Sequence, residues 1–117
     1  MSDPIETFFA AWGMDDPART DTLTRCAAPD LYYVDPRTPE PITDLQALIR
    51  YIGQYTEFAP GASARVAAQS RTHLHTRATV AFEMPGSTAQ LGQYMIDTDG
   101  QNRVARLIGF AGTGEPS

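Results

Sequence analysis

Leu31-Tyr32-Tyr33-Val34-Asp35-Pro36 is a run of aromatic and branched aliphatic residues that closes on an aspartate directly before a proline. Such a composition reads as a short strand. Side chains alternate along a strand, so Leu31, Tyr33 and Asp35 share one face while Tyr32 and Val34 share the other. Taking a carboxylate out of water is costly unless a partner compensates. Asp35 therefore either bonds to its own turn or points into a cavity where its charge is used.

Upstream of this strand the pattern is helical. Asp3-Pro4-Ile5-Glu6 combines an N-cap aspartate, a proline suited to the first turn and a glutamate three residues after the cap. Ile5, Phe8, Phe9 and Trp12 then form one apolar helix face, ended by Gly13. Asp16-Pro17 repeats the start, and a second helix is expected to run to about Ala28, where Pro29 stops it. Its apolar face is thin, resting on Leu23, Cys26 and Ala27.

Downstream, three prolines within 36–41 make a stiff connection. Thr43-Asp44-Leu45-Gln46 reads as another capping box, opening a helix with Leu45, Leu48, Ile49, Ile52 and Tyr55 on one side. From Ser63 the character changes to strands near 64–72, 77–84, 88–98 and 103–111. Hairpin turns are expected at His73-Leu74-His75-Thr76, Pro85-Gly86-Ser87 and Asp99-Gly100-Gln101-Asn102. Helices first and a strand meander afterwards is an α+β pattern, with three N-terminal helices packed on a strongly curved, mainly antiparallel sheet. Residues 1–112 are expected to form one domain and 113–117 a loose C-terminal tail.

Composition removes several functions. All nine basic residues of the 117 are arginine, which excludes Schiff-base chemistry, a P-loop lysine and a Ser–Lys dyad. The formal charge of −5 argues against a nucleic-acid partner. No stretch approaches the ~18 apolar residues of a membrane span, and no signal-peptide pattern opens the chain, so a cytoplasmic location is expected. The lone Cys26 offers neither a disulfide nor a multi-thiolate metal site, and reads as a small core residue. His73 and His75 fall in an expected turn without a third imidazole or thiolate, and Asp97-Thr98-Asp99-Gly100 lacks the rest of a calcium loop; no metal site is expected. Arg65, Arg71, Arg77, Arg103 and Arg106 lie on expected strands, mostly facing outward to pair with carboxylates, with room for one to meet an anionic substrate.

The order and spacing of these pieces resemble the nuclear transport factor 2-like superfamily, and within it the SnoaL-type polyketide cyclase and ketosteroid isomerase-like branch. The resemblance spans residues 5 to about 112. It is carried by Phe8 to Trp12, Asp30 through Pro36, Leu48-Ile49 with Ile52, Phe82-Glu83, and Asp99-Gly100 through Gly109-Phe110. It implies a cone-shaped roll, open at one end as an apolar pocket. It further implies that Asp35, of the Asp-Pro pair, is a general base. A second family position, commonly acidic, falls on Tyr94, or on Gln93 if the register slips. A phenol there can donate a hydrogen bond to a developing oxyanion. The first-helix tyrosine of the isomerases falls on Phe8, a departure from their pattern.

The resemblance implies a small-molecule pocket protein, expected to act as a cofactor-free isomerase- or cyclase-type enzyme on an apolar, carbonyl-containing substrate. Asp35 would be the base and Tyr94 the donor, with Trp12, Tyr33, Phe82 and Met84 as pocket walls. The alternatives are a non-catalytic pocket for a small apolar or aromatic molecule, or a dimeric interaction domain; a homodimer through the outer sheet face is expected in either case.

Overall fold

A computed structural model describes residues 3–112; the expected tail at 113–117 lies outside the described residues. Helix α1 (Pro4–Ala10) starts where the aspartate and proline predict. Asp3 caps it by accepting from the Ile5 N–H at 2.9 Å. Its buried face is Ile5, Phe8 and Phe9, and a 3₁₀ turn at Ala11–Gly13 carries Trp12 into the same core.

Helix α2 (Asp16–Cys26) departs from expectation at both ends. Asp15, not Asp16, is the cap, accepting from the Ala18 N–H at 3.1 Å. The helix stops at Cys26, and Ala27 is already extended, so Pro29 lies inside strand β1 (Ala27–Val34) rather than ending a helix. A strand tolerates this proline because β1 is the sheet edge, and its pairing with its neighbour is irregular between Ala27 and Tyr32. No ladder hydrogen bond is demanded of position 29.

Helix α3 (Leu45–Phe58) is capped by Asp44, one residue after the expected Thr43, through the Ala47 N–H at 2.8 Å. Leu45, Leu48 and Ile52 are its buried face. Strands β2 (Ser63–Thr72), β3 (His75–Glu83), β4 (Gln90–Thr98) and β5 (Val104–Ala111) follow close to their expected places. His75 and Thr76 belong to β3 instead of the turn, and His75 Nδ1 meets Asp97 Oδ1 across the exposed β3–β4 ladder at 2.6 Å.

The five strands form one curved, open sheet in the order β1-β5-β4-β3-β2, antiparallel except where β1 joins β5. Its register puts Ala78, Val80, Tyr94, Ile96 and Leu107 on the helix side, all buried. Leu31 and Tyr33 of β1 are buried on the same side, as the alternation predicted. The opposite face carries Met95, Ile108, Phe110 and several arginines. Of the five strand arginines expected to find carboxylates, Arg65 and Arg103 do so among the described residues, at 3.0 and 2.9 Å. Arg103 lies just before β5 in the turn, and Arg106 sits over the Tyr32 ring instead.

One buried cation was invisible in the sequence. Arg19 of α2 is almost fully enclosed and donates to the Ala11 and Met14 carbonyls, to Asp16 Oδ1 at 2.7 Å and to Thr56 Oγ1 at 3.3 Å. It ties both N-terminal helical segments to α3. No described helix is long and apolar enough to cross a membrane.

Candidate functional site

The site grows from the end of β1. The proline-rich loop returns to that strand, and Tyr33 and Ile42 exchange backbone hydrogen bonds at 2.8 Å in both directions. This fixes Tyr33 in place. Two residues later Asp35 stands just past the strand, and its Oδ1 accepts from the Arg37 and Thr38 N–H groups at 2.8 and 3.1 Å. The turn-capping reading of Asp35 is thus correct for one oxygen.

The other oxygen faces phenols. Tyr33 donates to Asp35 Oδ2 at 2.6 Å, and the α3 residue Tyr51 donates across both oxygens, at 2.8 and 3.0 Å. Tyr94 Oη lies 2.8 Å from Tyr33 Oη. A hydroxyl has a single proton, and that of Tyr33 goes to the carboxylate, so Tyr94 donates to Tyr33. The hydrogen bonds run in one direction, from Tyr94 through Tyr33 to Asp35.

Close packing makes this possible at Gly109 on β5. A Cβ there would stand 2.8 Å from Tyr94 Cε2 and 3.2 Å from Asp35 Cβ. Only a residue without a side chain lets the Tyr94 ring lie on that strand beside Asp35. The register also answers the choice between neighbours: Tyr94 points inward, whereas Gln93 points outward and donates to Thr79 Oγ1 at 2.8 Å.

Burial is the chief cause of raised pKa values in all three phenols. Tyr33 is pushed well above the ordinary tyrosine value by burial and by the charge and hydroxyl beside it. Tyr51 is raised by burial and by its hydrogen bond to Asp35. Tyr94 is raised chiefly by burial, and the Asp35 charge nearby adds to this. The phenols therefore remain neutral donors at physiological pH.

Two neighbouring hollows border this network. An inner one of about 130 Å³ is lined by Asp35, Trp12, Phe82 and Tyr94, among others. An outer cleft of about 560 Å³ is lined by Tyr51, Tyr55, Phe58 and Met84, with Arg37, Phe82 and Gln90 shared by both. The structure thus gathers Asp35, Tyr94, Trp12 and Phe82 around one cavity. Tyr33 is fully buried behind it, contributing its hydroxyl, and Met84 stands apart in the outer cleft. Trp12 packs within 5.5 Å, centroid to centroid, of both Tyr55 and Phe82, and its indole N–H has no hydrogen-bond partner among the described residues.

Sequence reasoning missed Tyr51 and Arg37. Tyr51 flanks the apolar stripe of α3 rather than belonging to it; its one signal is the i, i+4 spacing to Tyr55, which puts two phenols on one side of the helix. Arg37 follows Asp35 by two residues in the turn and carries no pattern of its own. Partial burial opposes its charge, but the Tyr55 hydroxyl, with the Tyr51 phenol and Asp35, outweighs this and holds it above its ordinary value. No group of three or more metal-ligating side chains gathers among the described residues.

No family model and no curated protein sequence matches the chain. Solved structures do. A candidate isomerase of the SnoaL-like family from Agrobacterium tumefaciens superposes with a TM-score of 0.84 at 20% identity, over 94% of this chain and 95% of that one. A candidate ketosteroid isomerase from Kribbella flavida gives 0.74 at 16% identity, over 97% and 78%. A candidate polyketide cyclase from Sinorhizobium meliloti gives 0.69 at 22% identity, over 93% and 94%. The protein has the nuclear transport factor 2-like fold, the fold the sequence resemblance implied.

Proposed function

We propose that the protein is a cofactor-free enzyme of the isomerase or cyclase type, in which Asp35 removes a proton beside the carbonyl of a small apolar substrate. The observation that carries this reading is a carboxylate linked, directly or through Tyr33, to three buried or half-buried phenols in a hollow that shares lining residues with an apolar cleft. The fold neighbours described as isomerases and a cyclase support the same class.

The hydrogen-bond count constrains the mechanism. A carboxylate offers about four lone-pair sites, and here two main-chain N–H groups and two phenols fill them. A substrate must therefore displace one donor. Tyr51 is the replaceable one, since it lines the outer cleft and its bond is split between two oxygens. Once the substrate proton rests on Asp35, the carboxyl donates to Tyr33. Tyr33 then donates to Tyr94, and Tyr94 turns its proton to the substrate oxygen. Protonation of the base thus releases the oxyanion donor, with no further proton transferred.

The test uses 2-naphthol, a flat analogue of an enolised ketone, with binding followed by Trp12 fluorescence. Asp35→Asn stands for the protonated base and removes the charge facing the bound oxygen. It should bind 2-naphthol about tenfold tighter than the unmodified protein, a gain of about 1.4 kcal/mol. Unchanged affinity would mean that the ligand oxygen does not sit beside Asp35.

Alongside catalysis we propose a homodimer through the outer sheet face, supported by Met95 and Phe110, 47% and 54% exposed, flanking Ile108 on adjacent strands. Sedimentation at micromolar concentration as a monomer would refute it. We also propose a cytoplasmic location, a reading supported by the single, buried Cys26, whose thiol is pushed up to about 11 chiefly by burial.

A further inference from the structure

We propose that the substrate is an organic acid, its carboxylate held by Arg37 while its apolar body fills the outer cleft and its reacting carbonyl reaches Asp35. The proposal rests on the pocket reading above and adds the chemical class of the ligand.

Among the described residues Arg37 is the only basic side chain lining either hollow, and it lines both. It thus stands where the cleft meets the inner cavity. Its guanidinium is positioned rather than loose: it lies 5.1 Å from the centre of the Tyr55 ring. The Asp35 turn fixes its backbone through the Arg37 N–H, so one local structure presents both the carboxylate and the cation. Arg37 takes no part in the ion pairs of the described residues, which use Arg19, Arg25, Arg65, His75 and Arg103. Asp35, the nearest acid in sequence, spends its lone pairs on phenols and main-chain N–H groups.

The rest of the cleft carries no charge to compete. Its walls are Phe58, Phe82, Met84 and Ala59, with neutral polar groups such as Gln54 and Gln90. Phe58 is 93% exposed and Met84 41%, an apolar surface that a ligand body would cover. The protein as a whole is acidic, with a net charge of −5, so its overall field repels anions. A planar fork of donors that takes part in no ion pair of the described residues, beside an apolar trough, matches a carboxylate on an aromatic or aliphatic skeleton.

The experiment compares 2-naphthylacetate with 2-naphthylacetamide, which share a shape and differ in charge, by calorimetry at pH 7. The unmodified protein should bind the acid at least tenfold more tightly, an advantage that shrinks as salt is raised. Arg37→Gln should abolish that advantage while leaving amide affinity within about twofold; the turn survives because Asp35 is bonded by the main-chain N–H. Arg37→Lys should keep part of the preference. Arg106→Gln, on the outer face, should keep all of it. Equal affinity for the two probes, binding of neither, or a preference that survives Arg37→Gln would overturn the proposal. The base assignment is judged separately on Asp35→Asn, which should preserve or increase the preference for the acid, so either claim can fail without the other.

Discussion

Replacing Tyr33 with phenylalanine removes one oxygen and disconnects two groups. Asp35 loses the donor at 2.6 Å, and the Tyr94 hydroxyl loses its acceptor at 2.8 Å. A hydrogen bond to a charged group contributes about 1.5–3 kcal/mol, and a buried donor left without a partner costs about 1–3 kcal/mol. The ring itself is kept, so packing changes little. The expected cost of Tyr33→Phe is therefore about 3 kcal/mol. Tyr94→Phe removes only the outermost donor of the chain, leaving Tyr33 bonded to Asp35, and should cost about 1 kcal/mol. In the double variant no phenol is orphaned at position 94, so the loss should be about 2–3 kcal/mol, below the sum of the single losses. Urea melts at pH 7 with a common m-value measure all three. The reasoning fails if Tyr94→Phe costs as much as Tyr33→Phe, or if the two losses simply add, because either result would mean that the hydrogen bonds do not run from Tyr94 to Asp35.

Other consequences follow from the same packing. Tyr33, Tyr51 and Tyr94 hold their protons above the ordinary value of about 10. The unfolded chain sheds these protons first, so their contribution is complete below pH 10 and is lost above it, by up to ~4 kcal/mol per pH unit if all three titrate on unfolding; urea midpoints between pH 9 and 11.5 should show that decline. Gly109→Ala places a methyl group 2.8 Å from the Tyr94 ring, and should cost about 1–3 kcal/mol in melts while weakening 2-naphthol binding. Arg19→Ala strands the buried Ala11 carbonyl and the half-buried Met14 carbonyl, and should lower stability by about 2–4 kcal/mol in the same assay.

The parts of the fold that were legible in the sequence are those with local causes. Asp3-Pro4 and the apolar spacing through Trp12 specify α1 within one turn of chain. The hairpin turns mark out β2 to β5, but they leave Tyr94 and Gln93 as alternatives until the pairing of β4 with β3 turns Tyr94 inward. Pro29 was misread because proline stops helices locally, while its tolerance in β1 depends on that strand being an edge, which the distant β5 decides. Arg19 shows the same limit: an arginine on a thinly apolar helix gives no sign of being buried until two carbonyls and Thr56 converge on it. At the site, Asp35 could be found because a carboxylate shared a strand face with Leu31 and Tyr33. Tyr51 could not, because it borders the stripe of α3 and acquires its role only when that helix crosses the end of β1.

The central claim is that Asp35 takes a proton from carbon. Deuterium uptake by 2-tetralone in heavy water, followed by mass spectrometry, tests it without knowledge of the natural substrate, since that bicyclic ketone has an acidic proton beside its carbonyl and suits a 560 Å³ cleft. The unmodified protein should exchange the ketone well above the buffer rate, and Asp35→Asn should fall to the buffer rate while still quenching Trp12 fluorescence on binding. Exchange by Asp35→Asn at the unmodified rate, or none above buffer by the unmodified protein with the ketone bound, would contradict the account.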